Sequence, residues 1–290
     1  VKLGIVSSGR GWQSEELFRR ALEKGWEVYF FPPRRFSLHL PDNDVWSELE
    51  KLKVDAILVR SVPFGSLDQI IFRIDALYLL EMQGIPVVNS PWTIERTVDK
   101  VYSSMLLSTA GIPTPRTAVC ERFSDAMEWF KRLGGDVIVK PIFGANGVGI
   151  VRVSDIDMAH RVFRALQLTR SVFYIQEFIP HRDEDIRVFV AGGEIVAAML
   201  RKGSAWKTNI YQGGKPIKYD LPRELEEMCL KISSMFKADY LGVDLMFSES
   251  GELYVLEVNG IPGWRGIQSV SKRNIADAIL SCVEKKKRRI

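Results

Sequence analysis

Short apolar runs alternate with amphipathic stretches through the first third of the chain. Lys2 to Ser7 reads as a buried strand and Ser14 to Lys24 as an amphipathic helix stopped by Gly25. Trp26 to Phe31, Ala56 to Arg60 and Ile85 to Asn89 read as further strands, the last after a helix over Asp68 to Gln83. This β-α-β rhythm predicts a parallel sheet flanked by helices. Ser90-Pro91 then supplies a serine cap and a proline at the first helical position. The helical stretch it opens ends near Ala110, with Gly111 as the stop and Pro113 and Pro115 beyond it, and reads as a linker. From Thr117 the pattern is strand, helix (Ser124 to Leu133), strand (Val137 to Lys140), glycine-rich loop, strand (Ile150 to Val153), helix, strand (Phe173 to Gln176). After Pro180 hairpins dominate. Ile186 to Val190 and Ile195 to Arg201 flank the turn Ala191-Gly192-Gly193-Glu194. A helix over Arg223 to Phe236, a hairpin of Gly242 to Phe247 with Glu252 to Val258, and a helix from Asn274 to Glu284 complete the chain.

Composition adds little to this but excludes several classes. The chain has 290 residues, 46% hydrophobic and 26% charged, which suits a large buried core and about two domains. No apolar run approaches the roughly 18 residues of a membrane span. The first residues lack the basic start and cleavage site of a signal peptide, so a cytoplasmic protein without a membrane partner is expected. Cys120, Cys229 and Cys282 are too scattered for a disulfide framework or, with three dispersed histidines, a zinc site. Much of the net charge of +4 sits in Lys285 to Arg289, expected to be a solvated, frayed tail. An anionic partner such as RNA is the other reading of that tail, but charge alone does not establish nucleic-acid binding. Gly9 and Gly11 follow the first strand without the third glycine of a dinucleotide fingerprint, so a plain loop is expected there.

The second hairpin carries the first candidate chemistry. If Ser250-Gly251 is a two-residue turn, Asp244 lies opposite Glu257, with Cβ atoms about 4.5 to 5.5 Å apart. Asn259 projects from the same face two residues on. Two opposed carboxylates in apolar surroundings need a cation or a proton. Three oxygen donors suit a hard ion such as Mg²⁺, which leaves positions for substrate phosphates. On the hairpin alone, a metal site and a solvated acidic strand pair stay equally open.

A phosphate-binding element lies upstream. Lys140 ends the apolar strand Val137-Ile138-Val139 and leads into a loop containing Gly144, Gly147 and Gly149. Glycines let backbone N–H groups turn toward an anion, and the lysine adds a point charge. The loop lacks the glycine-lysine-serine/threonine of a Walker motif. Lys100 follows Asp99 on the linker helix. Gln176-Glu177-Phe178-Ile179 leaves a strand into proline as a hinge would. Asp185 and Arg187 share one strand face, where an exposed salt bridge between them would contribute little.

In this order the chain resembles the RimK-like carboxylate–amine ligases of the ATP-grasp superfamily. The resemblance rests on Asp99-Lys100, Val139-Lys140-Pro141 with its loop, Gln176 to Ile179, Asp185-Ile186-Arg187, Asn209 with Gly213-Gly214, Gly242-Val243-Asp244 and Glu257-Val258-Asn259. It implies a fold that is α/β and α+β, an ATP-grasp fold with an N-terminal pre-ATP-grasp domain of parallel β-α-β units. It divides the chain into that domain (1–90), a linker helix (91–115), a central lobe (116–178) and a C-terminal lobe (179–290). Lys100, Lys140 and the loop glycines Gly144, Gly147 and Gly149 would hold ATP phosphates. Gln176, Glu177, Phe178 and Asp185 would meet the nucleoside. Asp244, Glu257 and Asn259 would bind two Mg²⁺ ions, for which Mn²⁺ can substitute. Arg187, Arg201, Lys207 and Asn209 would line an acyl-phosphate site, although the family often has arginine at the Lys207 position. The segment from Asn259 to Gln268 looks most like the branch that adds L-glutamate to pterin coenzymes, which would place Trp264 and Arg265 at the substrate. For Trp264 the alternative is a core residue after a turn. The expected partners are therefore L-glutamate and a carboxylate acceptor, a small coenzyme first and a protein tail or amino-group carrier protein second. A homo-oligomer is left open, and a nucleotide- or RNA-binding regulator is the non-enzyme alternative.

Overall fold

The computed structural model describes residues 1–40, 53–144, 147–203, 206, 208 and 213–288, and the backbone of 44–46. Its first sheet joins β1 (Lys2–Val6), β2 (Glu27–Phe31), β5 (Ala56–Val59) and β6 (Val87–Val88) in the order β2-β1-β5-β6, all parallel. A short antiparallel pair, β3 (Ser37–His39) with β4 (Asp44–Trp46), lies between β2 and β5 in the chain. The parallel sheet is the one the sequence rhythm predicts. One face packs on α2 (Leu67–Met82) through Ile57, Val59, Ile74 and Leu77.

The helical stretch expected to run from Pro91 to Ala110 is broken in two. α3 (Pro91–Val98) ends at Asp99, and α4 (Lys100–Thr109) begins one residue later. The Asp99 carboxylate accepts from the N–H groups of Val101 (2.8 Å) and Tyr102 (3.1 Å), so it caps a new helix rather than riding on an old one. Lys100 thereby becomes the first residue of α4.

The second sheet is antiparallel, with β7 (Thr117–Cys120), β10 (Phe173–Glu177), β8 (Val137–Lys140) and β9 (Val151–Val153) side by side in that order. α5 (Phe123–Arg132) and α6 (Ile156–Leu168) cover it. Its core, including Ala118, Phe130, Val139, Phe163 and Ile175, is drawn wholly from this stretch of chain.

The third sheet has the order β13-β12-β11-β14-β15, formed by Lys215–Lys218, Glu194–Lys202, Glu184–Ala191, Tyr240–Phe247 and Leu253–Asn259. Alternation along β11 and β14 assigns its two faces. Ile186, Val188, Val190, Leu241, Val243 and Leu245 pack with α7 (Arg223–Met235). On the other face, Phe189, Ala191 and Tyr240 join a core with Leu3, Ile5 and Leu17 of the first sheet and α1 (Trp12–Glu23). That core is completed by Trp264, which precedes the short α8 (Arg265–Gln268), and by α9 (Ile275–Lys287). The first and third sheets thus share one interior, while the second keeps its own.

Asn89 pins this junction. Its amide donates to the carbonyls of Tyr240 and Gly260, each at 2.6 Å, and accepts from the N–H groups of Asp239 and Tyr240. The basic tail differs from expectation. Lys285 to Lys287 are the last turn of α9, and Lys286 donates to the Val87 carbonyl (2.7 Å) and to Asp239 (2.8 Å). Lys287 lies 3.0 Å from Asp55. These acceptors come together only in the tertiary fold, so the charge run alone read as a frayed, solvated tail. Arg289 lies outside the described residues. No described helix is long and apolar enough to cross a membrane.

Candidate active site

The site lies where the face of the third sheet that carries Phe189 turns polar. Asp244 pairs with Glu257 across β14 and β15, and Gly242 with Asn259, as the sequence arithmetic requires. The route to that register is different. Ser248 N–H donates to the Glu252 carbonyl at 2.8 Å, so the turn is the three-residue loop Glu249-Ser250-Gly251. Gly251 sits at φ +87°, a conformation that favours glycine in such loops. Leu245 then pairs with Val255, and Leu256 is left over as an irregularity beside the carboxylates. The longer loop and the extra residue offset one another.

The opposed carboxylates are compensated by basic side chains. Arg187 lies opposite Asp244 on its other flank and grips both carboxylate oxygens, with Nη2 at 2.6 Å from Oδ2. Arg201 reaches the same Oδ2 at 2.9 Å and holds Asp185 through a second fork at 2.6 and 2.5 Å. An exposed salt bridge between Asp185 and Arg187 was one reading of their shared strand face. Each instead pairs across strands, in a buried chain Asp185–Arg201–Asp244–Arg187. Burial would raise the Asp244 carboxyl pKa, but the two guanidiniums beside it hold it below its ordinary value. Burial would lower the pKa of Arg201; Asp244 and Asp185 raise it instead. Glu257 has the Lys100 ammonium at 3.6 Å and also feels the charge of Lys140. The Asn259 side-chain oxygen accepts from the Ile261 N–H.

The phosphate-side candidates converge on the same place. Lys100 donates to the Gly144 carbonyl at 2.9 Å, and its backbone N–H to that of Ile142. A cation at a helix N-terminus opposes the macrodipole, so Lys100, Glu257 and the Asp99 cap balance one another there. Lys140 donates to the Gln176 side-chain oxygen at 2.6 Å. Burial pushes the Lys140 ammonium down to about 8, with Glu257 and Asp244 pulling upward and Lys100 downward. Gln176 donates onward to Thr117, and Tyr174 meets the Ser104 hydroxyl at 2.7 Å. Gly147 and Gly149 both adopt positive φ in the loop after Lys140.

The hinge candidates are engaged within the fold. Both Glu177 oxygens accept from Arg116, one of them at 2.7 Å from its backbone N–H. Phe178 N–H donates to the Asp136 carbonyl, and the Arg152 guanidinium stacks 3.5 Å over the Phe178 ring. Trp264 is fully buried in the shared core, whereas Arg265 is exposed, 6.0 Å from the Trp12 ring. Lys207 and Asn209 lie outside the described residues.

Sequence reasoning missed the residues that seat the loop after Asn259. Asn89 holds the Gly260 carbonyl, and Thr97 lies so close that a Cβ on Gly260 would stand 2.3 Å from its hydroxyl. The signals were slight. One is a polar residue ending an apolar strand, and the other a glycine beside the candidate metal residues.

Asp244, Glu257 and Asn259 form an all-oxygen set of two carboxylates and one amide, on neighbouring positions of adjacent strands. That set fits Mg²⁺ whose remaining positions go to phosphate oxygens. Among the described residues there is no group of three or more His, Cys, Asp or Glu side chains that could hold a metal by themselves. A cation here would therefore need further oxygen donors from outside these side chains.

Comparison with known proteins agrees in sequence and in fold. A family model for the RimK-like ATP-grasp domain matches residues 97–283. The chain is 40% identical, over 97% of both sequences, to the tetrahydromethanopterin:alpha-L-glutamate ligase of Methanocaldococcus jannaschii. It is 30% identical, again over 97% of both, to the protein of the same name from Methanococcus maripaludis. Among solved structures, the ATP-grasp ligase PsnB complexed with minimal precursor, Mg and ADP superposes with a TM-score of 0.71. That match spans 97% of this chain and 98% of PsnB at 18% identity.

Proposed function

The chain belongs to the RimK-like ATP-grasp family, and on that premise we propose that it joins L-glutamate, through its α-amino group, to a carboxylate on a pterin-type coenzyme. The observation that carries the reading is the row Arg187–Asp244–Glu257 across three strands, faced by Lys100 and Lys140. Phosphoryl transfer asks mainly for positioned opposite charges, and this row supplies both signs in a buried setting. The names of the relatives support the substrate pair.

In this reading Lys100, Lys140 and the loop with Gly144, Gly147 and Gly149 hold the phosphates of ATP. Gln176, Glu177, Phe178 and Asp185 border the nucleoside. Asp244, Glu257 and Asn259 would hold two Mg²⁺ ions, which neutralise phosphate charge when bound; Mn²⁺ would serve in their place. Arg187 and Arg201, with Lys207 and Asn209, orient the acceptor carboxylate. A carboxylate oxygen attacks the γ-phosphorus, ADP leaves, and an acyl phosphate results. The glutamate amine then attacks the acyl carbon, loses a proton and expels phosphate. Neither step needs a nucleophilic serine or cysteine, and the described cysteines are free and at least half-buried. The clamp around ATP is assigned to 116–178 and 179–290, with 1–90 and the linker 91–115 as its support.

The test is a screen of ATP, Mg²⁺ and L-glutamate with a panel of carboxylate acceptors that includes tetrahydromethanopterin. ADP and phosphate should appear only with both co-substrates, and the acceptor should gain the mass of one or more glutamyl groups. AMP and pyrophosphate as products would refute the reading. Glu257→Gln should cut turnover by about 100-fold or more while leaving the urea midpoint nearly unchanged, because it removes charge and not volume. Near-normal turnover of that variant at saturating Mg²⁺ would count against the assignment.

A further inference from the structure

Arg60 is a buried cation that meets no anion among the described residues. It follows β5 directly, at the carboxyl end of the parallel sheet, where open α/β sheets place their ligands. The residue is only 9% exposed, yet no ion pair reaches it among the described residues. Its guanidinium stacks on Trp264 at 4.4 Å and makes two long contacts, to the Tyr240 hydroxyl and the Pro262 carbonyl, each at 3.4 Å. Its Nε has no acceptor, and neither does Nε1 of Trp264. Among the described residues only one other buried side-chain N or O atom, Arg96 Nε, is left without a partner. Burying a guanidinium is costly unless an anion compensates it. Two orphaned donors on one stacked pair therefore mark a place prepared for an acceptor that the described residues do not provide.

The pair also lies beside the proposed reaction centre. Pro262 packs so closely on Gly242 that a Cβ there would stand 3.0 Å from it and 3.5 Å from Arg187 Cδ. Gly242 is in turn opposite Asn259. The segment from Asn259 to Trp264 thus connects the candidate cation site to Arg60. Arg60 and Arg187 thus both lie near Pro262 of this segment.

We propose that Arg60, braced on Trp264, binds a non-reacting carboxylate of a substrate, either on the incoming glutamate or on the acceptor. This rests on the ligase reading above. A planar guanidinium fork matches a carboxylate, and the indole face fixes its plane.

The experiment compares wild type with Arg60→Gln and Arg60→Lys, using ATP, L-glutamate and tetrahydromethanopterin. KM for one carboxylate substrate should rise by about 30-fold in Arg60→Gln and less in Arg60→Lys. KM for ATP and kcat should stay within a few-fold. If glutamate is the source, wild type should discriminate against L-glutamine or L-isoglutamine, and Arg60→Gln should lose that discrimination. If the acceptor is the source, only the KM for tetrahydromethanopterin should move. Unchanged KM values for both, or a joint loss of kcat and all three affinities along with the urea midpoint, would overturn the proposal. If wild type turns over no acceptor, the ligase reading itself fails, and the seat is then read by binding. Glutarate should raise the melting temperature of wild type and not of Arg60→Gln; no rise in wild type would overturn the seat as well.

Discussion

At the scale of single residues, the nucleotide role proposed for Lys140 would couple pH to ATP binding. Burial holds its ammonium at about 8, below the ordinary 10.5 of lysine. Between those two values the unfolded chain binds more protons than the folded one, so this group makes folding stability rise with pH across that window. Its capacity to hold phosphate runs the other way, because the ammonium is lost as pH climbs through about 8. The affinity of the free protein for ATP should therefore fall above pH 8 even as its urea midpoint holds or rises. Titration calorimetry between pH 7 and 9.5 checks this, and Lys140→Met should flatten the dependence. Equal slopes in the variant would mean that another group is responsible. Lys140 was legible in the sequence because a lysine closing an apolar strand before a glycine loop is a local pattern. Arg60 and Asn89 were not. Their partners, Tyr240, Gly260 and Pro262, lie far along the chain, and no spacing announces them.

At the scale of elements, the site depends on how α3 meets the loop after β15. Gly260 approaches Thr97 so closely that a methyl group there has no room unless the threonine hydroxyl leaves its bond to the Thr93 carbonyl. Gly260→Ala should cost about 1 to 3 kcal/mol and lower turnover by displacing Asn259. Thr97→Ala should restore part of both in the double variant, although it is mildly destabilising alone. Additive losses in that cycle, measured by urea unfolding, would show that the two residues do not compete for the same space. The hairpin shows what sequence arithmetic can and cannot resolve. The pairing of Asp244 with Glu257 was predicted from a two-residue turn and an unbroken ladder. Neither exists; a three-residue loop and an extra Leu256 shift the register in opposite directions. Alternation of apolar residues constrains the face strongly and the loop length weakly, so the pairing of the two carboxylates was readable while the path to it was not. The break at Asp99 is similar. Helical periodicity runs through it, and only the carboxylate turning back to cap α4 interrupts the helix.

At the scale of the whole molecule, the first and third sheets form one body and the second sheet another. Lys286 is one of the ties within the larger body, linking Val87 to Asp239. Lys286→Met should lower stability by about 1 to 3 kcal/mol in urea, since it removes the hydrogen bonds that Lys286 gives to Val87 and Asp239. The kcat of the folded fraction should change little. An unmoved midpoint would return the tail to the solvated role first expected of it. The shared interior has a further consequence, for the order in which the chain can fold as it is made. The second sheet with α5 and α6 draws its core from neighbouring sequence and can close soon after it leaves the ribosome. The amino-terminal sheet can cover one face early with α2, and only part of the other with α1. The rest of that face waits for α9, whose Asp277 pairs with Arg20 across 257 positions of chain. Through most of synthesis, then, Leu3, Ile5 and Leu17 are left without their final cover, and the nascent protein carries an adhesive surface that a chaperone would be expected to shield.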